Sequence, residues 1–205
     1  MQIRRHLTPR YVRSRLLQMA RQWLRPHEPW LPVRAIRLLD SYLDKSHTVF
    51  EWGSGWSTVW FGEHVRQVVS VEHDREWFEV VQARLKKRGL GHKVTVSLVG
   101  DMESYACAID QWQGMFDLIL VDGRLRSECM AKAIGRVREG GILVLDNVER
   151  YLPSASRSPV AVREYVTGQW RQISEAIKDW GQEWVTDGVS DTLLLRCPRM
   201  SSNAV

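Results

Sequence analysis

Apolar residues along this chain recur with two different periods, and the two alternate. Val33, Ile36, Leu39 and Leu43 fall at helical spacing, so a helix is expected from Trp30, Leu31 and Pro32, where the chain enters it, to about Leu43. Thr48, Val49 and Phe50 form a short β-branched and aromatic run that reads as a strand. Val68 to Val71 reads as the next strand, with a helical segment between the two. A helix over 75–87 is stopped by Gly89 and Gly91, after which Val94, Val96 and Leu98 alternate as a third strand. The stretches 116–121 and 140–145 are nearly continuous apolar runs, as expected of strands covered on both faces. Further helices are expected over 104–112, 127–137 and 160–167, and two final strands over 170–177 and 192–197. Strands alternating with helices imply an α/β fold, a single doubly wound and mostly parallel seven-stranded sheet with helices on both faces.

Each of the first five strands ends in an acid: Glu51, Glu72, Asp101, Asp122 and Asp146. Ligands of open α/β sheets sit at the carboxyl ends of the strands, so these five mark the site. After the first strand, Gly53 and Gly55 permit a tight turn that brings a ligand near the backbone where the next helix presents unpaired N–H groups. A dinucleotide fingerprint needs a third glycine, but that position is Thr58, and a negative Glu51 would repel a phosphate. Glu51 suits a cationic ligand instead. Glu72 is placed to accept from both ribose hydroxyls, and Asp101 to accept from an adenine amino group.

The pattern Glu51-x-Gly53-x-Gly55, with Glu72 about twenty residues on, resembles the cofactor site of class I S-adenosylmethionine-dependent methyltransferases. The likeness runs over residues 46–197. It implies S-adenosylmethionine as cofactor, held by Glu51, Gly53, Ser54, Gly55, Ser57, Thr58, Glu72, His73, Asp101, Met102 and Asp122, with the glycine loop under the methionine part. Methyl transfer from a sulfonium is an in-line displacement that the cofactor already activates, so the protein positions the acceptor, excludes water and handles one proton. Asp122 and Arg124 are the expected catalytic residues, and the expected acceptor is a small-molecule or sugar hydroxyl. Asp122 with Asp146 and Asn147 is similar to the Mg²⁺ set of catechol-type O-methyltransferases, and three oxygen ligands suit such a hard cation. The Asp-Asn pair equally suits a turn and helix cap. That family places a lysine base three residues after its first metal aspartate. Here the position is Leu125, between Arg124 and Arg126, and arginine is a poor base but a good clamp for an acceptor carboxylate or phosphate.

Four of the ten tryptophans, Trp52, Trp56, Trp60 and Trp77, gather around the glycine turn. Trp60 and Trp77 are expected in the core, and Trp56 either there or in the wall of the cleft. At 205 residues and 44% hydrophobic content the chain can bury one substantial core, assigned to residues 28–197. Three widely spaced cysteines argue against a disulfide framework or a zinc site and for a cytoplasmic setting. No apolar stretch has the length to span a bilayer.

Charge separates off the N-terminus. Residues 1–27 hold seven arginines and no acid, more positive charge than the +5 of the whole chain. Val12, Leu16, Met19, Ala20 and Trp23 give this segment a helical apolar stripe. Either the stripe packs on the domain with the arginines solvated, or the helix meets an anionic membrane surface, nucleic acid or an acidic partner. A nucleic-acid methyltransferase using this arm, or a non-catalytic partner-binding module, are the alternative functions. Residues 198–205 are expected as a flexible tail.

Overall fold

The computed structural model describes residues 8–163 and 168–199. Helix α1 (Pro9–Leu24) and α2 (Val33–Tyr42) precede the sheet. There follow β1 (Thr48–Trp52), α3 (Trp56–His64), β2 (Gln67–Glu72), α4 (Arg75–Lys87), β3 (Val94–Leu98), α5 (Met102–Cys107) and β4 (Phe116–Val121). The chain closes with α6 (Arg126–Ile134), β5 (Val137–Asp146), α7 (Gly168–Ala176), β6 (Gly181–Thr186) and β7 (Asp191–Arg196). Strand order in the seven-stranded sheet is β3-β2-β1-β4-β5-β7-β6. Strands β1 to β5 are parallel, while β7 runs antiparallel to both β5 and β6, so the sheet is mixed at one end.

Alternate residues of the central strands point to opposite layers, as strand geometry dictates. Phe50, Val69, Ile119, Val121 and Leu143 pack with Tyr105, Met130 and Ile173 on the side of α5, α6 and α7. Val49, Val68, Leu118, Leu120 and Val144 pack with Leu39, Phe61 and Val81 on the side of α2, α3 and α4. Strand order reverses between β1 and β4, which places the crevice beyond their carboxyl ends.

Several expected boundaries shift. The stretch 170–177 is not a strand but lies largely in α7, because Trp170, Ile173 and Ile177 recur at helical spacing; Ile173 and Ile177 are buried. The sixth strand is β6, where Val185 alone is fully buried, too little apolar signal to read as a strand. Asp101 caps the N-terminus of α5, accepting from the Ser104 N–H at 2.7 Å, so that helix begins and ends earlier than expected. Residues 160–163 are not helical, and the rest of the helix expected over 160–167 lies outside the described residues, as does most of the C-terminal tail.

Helix α1 is capped by Thr8, which accepts from the Tyr11 N–H at 3.3 Å, and Pro9 opens it. Its polar side, not its apolar stripe, meets the domain. Arg21 donates to Glu28 and to the Leu31 carbonyl, and the Gln18 amide donates to Asp187 at 3.0 Å. No helix among the described residues is long and apolar enough to cross a membrane.

Candidate active site

Gly53 turns the chain out of β1 at φ +91°, with its N–H on the Val71 carbonyl at 2.9 Å. Below this turn Glu51 is fully buried, and its oxygens accept from the hydroxyls of Ser57, Thr58 at 2.5 Å and Ser70 at 2.7 Å. Burial pushes its carboxyl up to about 7 despite these three donors. Thr58 also accepts from the Gly55 N–H at 2.7 Å, so the residue standing where a third glycine would be braces the loop. Glu51, Ser57 and Thr58 thus act from beneath. Glu51, expected to meet a ligand cation, lies buried under the loop and does not line the cleft on which Glu72 lies.

Glu72 is held differently. One oxygen accepts from the Ser54 N–H and hydroxyl at 3.0 and 2.9 Å, the other from the N–H groups of His73 and Asp74 at 2.8 and 2.9 Å. It nevertheless lines a cleft of about 730 Å³ together with Gly53, Ser54, His73, Asp122 and Arg124. Trp77 walls this cleft, its indole N–H on the Ser54 carbonyl at 2.7 Å, whereas Trp56 does not line it. Both pack against the core, as expected for Trp77 and as one of the two alternatives for Trp56, and Trp77 walls the cleft besides. The Arg84 guanidinium lies 4.1 Å from the ring centre of Trp56 and 4.9 Å from that of Trp77, joining them. Asp101 and Met102 do not line the cleft; Asp101 is an exposed helix cap.

Beside the cleft, Arg126 reaches back from α6. Its Nη2 donates to the Asp122 carboxylate and carbonyl, each at 2.8 Å, its Nε to the Gly123 carbonyl at 3.0 Å, and its Nη1 to the Asp146 carbonyl. Arg126 therefore holds protein groups and is not a clamp for an acceptor anion. The carboxyls of Asp122 and Asp146 are neighbours, and Asp146 accepts from the Thr192 hydroxyl at 2.5 Å. Burial raises both acids, and the charge of Asp122 raises Asp146 further. The arrangement gives no support to a Mg²⁺ ion: Asp122 is bonded to Arg126 and Asp146 to Thr192. Among the described residues no cluster of three or more His, Cys, Asp or Glu could hold a metal. Asn147 takes the left-handed conformation at φ 49°, the turn role its residue type allows. Leu125, at φ 45°, is held likewise, and the strain delivers Arg124 and Arg126 to opposite duties. Arg124 is exposed at the cleft and donates to His73 Nε2 at 3.2 Å.

A second cavity of about 440 Å³ adjoins the first and shares Asp122 and Arg150 with it. Asp146, Asn147 and Glu149 form part of its wall, and Ser158 to Val160 come from the overhanging loop. Tyr11, Arg15, Gln18 and Gln22 of α1 close another side. Sequence reasoning missed Glu149, which is buried and accepts from the Asp191 N–H at 3.1 Å, and it missed the part played by α1. The polar positions 11, 18 and 22 share one helical face, which was the available signal.

Residues 50–148 match the family model for a methyltransferase domain. No curated protein matches the chain. Among solved structures, the O-methyltransferase TomG of Streptomyces achromogenes, involved in tomaymycin synthesis and crystallised with S-adenosylmethionine, superposes with a TM-score of 0.55 at 18% identity over 92% of this chain and 81% of that one. An O-methyltransferase of Bacillus cereus, in complex with S-adenosylhomocysteine, gives 0.57 at 17% over 93% and 82%. An rRNA methylase of Streptococcus thermophilus gives 0.55 at 11% over 80% and 93%. The chain thus has the fold of these class I methyltransferases, and its residues 50–148 match the model of a methyltransferase domain.

Proposed function

We propose that the protein transfers a methyl group from S-adenosylmethionine to a hydroxyl oxygen of a small molecule. The observation that carries this reading is that Asp122 lines both cavities, so one carboxylate touches the cofactor cleft and the neighbouring acceptor pocket. Glu72 and Ser54 offer the polar partners for a ribose, and Trp77 gives the apolar wall for a flat base. When bound, S-adenosylmethionine supplies a sulfonium methyl that is already activated. Asp122 takes the proton from the attacking hydroxyl. Burial raises its affinity for protons, which suits a base, and the Arg126 contact opposes that rise. Arg150 and the face of α1 position the acceptor and exclude water.

Calorimetric titration with S-adenosylmethionine, S-adenosylhomocysteine and NAD tests the cofactor, with binding expected for the first two. A screen of hydroxylated small molecules and an RNA oligonucleotide, read by transfer of labelled methyl, tests the acceptor. Methylation confined to the RNA would overturn the reading.

A further inference from the structure

The outward face of α1 carries Val12, Leu16, Met19 and Trp23, about one helical turn apart, exposed at 41%, 61%, 53% and 81%. Leu24 extends the patch at 69%. This is no consequence of loose docking, because the polar side fixes the helix through Gln18 on Asp187 and Arg21 on the Leu31 carbonyl. At 3.6 residues per turn, Arg13 borders the stripe on one side and Arg15 on the other, where it also donates to Gln18 at the rim of the acceptor cavity, while Arg10 lies farther round the helix. Arg10 and Arg13 are exposed and have no ion-pair partner among the described residues.

We propose that α1 lies in the surface of an anionic lipid bilayer, with Leu16, Met19 and Trp23 inserted and the flanking arginines on lipid headgroups. An apolar stripe framed by arginines matches such a surface in both chemistry and charge. The same arrangement opposes the other occupants. A second copy packed stripe to stripe would bring arginines together, since α1 contains no acid to pair with them. Nucleic acid would leave the apolar stripe uncovered between the charges. Tyr11, Gln18 and Gln22 line the acceptor cavity from the opposite face, so the bilayer lies across α1 from that cavity. The docking stands whether or not the methyl-transfer reading holds.

Flotation of the full chain tests it, with vesicles of phosphatidylcholine alone and of phosphatidylcholine mixed with phosphatidylglycerol. The protein is expected to float with the mixed vesicles and to lose roughly tenfold or more in binding to the neutral ones or at high salt. The double substitution Leu16→Ser with Trp23→Ser should lower binding to the mixed vesicles by a similar factor, while thermal unfolding and S-adenosylhomocysteine affinity stay unchanged. Absence of flotation, or flotation indifferent to the double substitution, would overturn the proposal. So would a dimer in sedimentation velocity that the double substitution dissolves, or binding of an RNA oligonucleotide in place of the vesicles.

Discussion

Gly53 and Gly123 meet backbone to backbone beneath the cofactor cleft: a methyl group on Gly53 would lie 2.9 Å from the Cα and N of Gly123. The contact locks the turn after β1 to the turn after β4, and Ser54 and Asp122 are thereby set on one cleft. A methyl on Gly123 would stand 1.9 Å from the Tyr105 hydroxyl, which closes the contact from below.

Substitution at this contact should therefore act on stability and cofactor binding together. Gly53→Ala adds strain at φ +91° to the overlap, and a loss of about 1–3 kcal/mol is expected. Gly123→Ala should destabilise as well, and Tyr105→Phe should recover part of that loss by removing the overlapping oxygen. Thermal unfolding of the two single variants and the Gly123→Ala/Tyr105→Phe pair checks this. Unchanged melting for Gly53→Ala would show that the two turns yield independently.

Glu72 holds the loop and faces the ligand at once. Glu72→Gln keeps the shape but replaces one acceptor oxygen by a donor, so the N–H groups now satisfied at that oxygen lose their partner. Loss of charge-assisted bonds points to about 1.5–3 kcal/mol of S-adenosylmethionine affinity, roughly ten- to a hundredfold. Calorimetry reads it directly. Full affinity would mean that Glu72 serves the loop alone.

The glycine turn, the parallel strands and Glu72 were legible in the sequence because local pattern decides them: a strand, a φ that only glycine tolerates well, and an acid at a strand end. What escaped depends on long-range packing. Glu51 has the same local signature as Glu72, yet Ser70 on the neighbouring strand and Thr58 on α3 turn it inward. Arg126 looked like a ligand clamp until the fold brought the Asp146 carbonyl beside it, twenty residues away in sequence. The stripe of α1 gave no sign of which way it would face, since its amphipathic pattern fits packing inward or outward equally.

Glu51 should leave a mark on stability as a function of pH. Its folded value, about 7, lies above the ordinary 4.5, so the folded chain keeps a proton that the unfolded chain releases. The contribution is complete below about pH 4.5 and is lost as pH rises towards 7. Glu51→Gln mimics the protonated form and should melt close to the parent at pH 5 but above it at pH 8. Parallel melting profiles across that range would show that Glu51 is ionised in the fold at every pH.

Asp146 separates a metal-free proton relay from a Mg²⁺ site most sharply. In the relay, Asp122 receives the proton, Arg126 supplies the positive charge, and Asp146, pushed up to about 8 by burial and the Asp122 charge, stays neutral beside it. Asp146→Asn keeps a neutral side chain of the same shape at that place, so turnover should persist within about tenfold of the parent, with S-adenosylmethionine affinity unchanged. Asp122→Asn removes the proton acceptor and should cost roughly a hundredfold or more in kcat. Excess EDTA should have no effect on the parent, because the cation beside Asp122 is the Arg126 guanidinium, 2.8 Å away. A divalent ion bound through both carboxylates would produce the opposite set: Asp146→Asn inactive, the parent stopped by chelator, and activity restored by added Mg²⁺. Steady-state rates for the two variants with and without EDTA decide between the two arrangements.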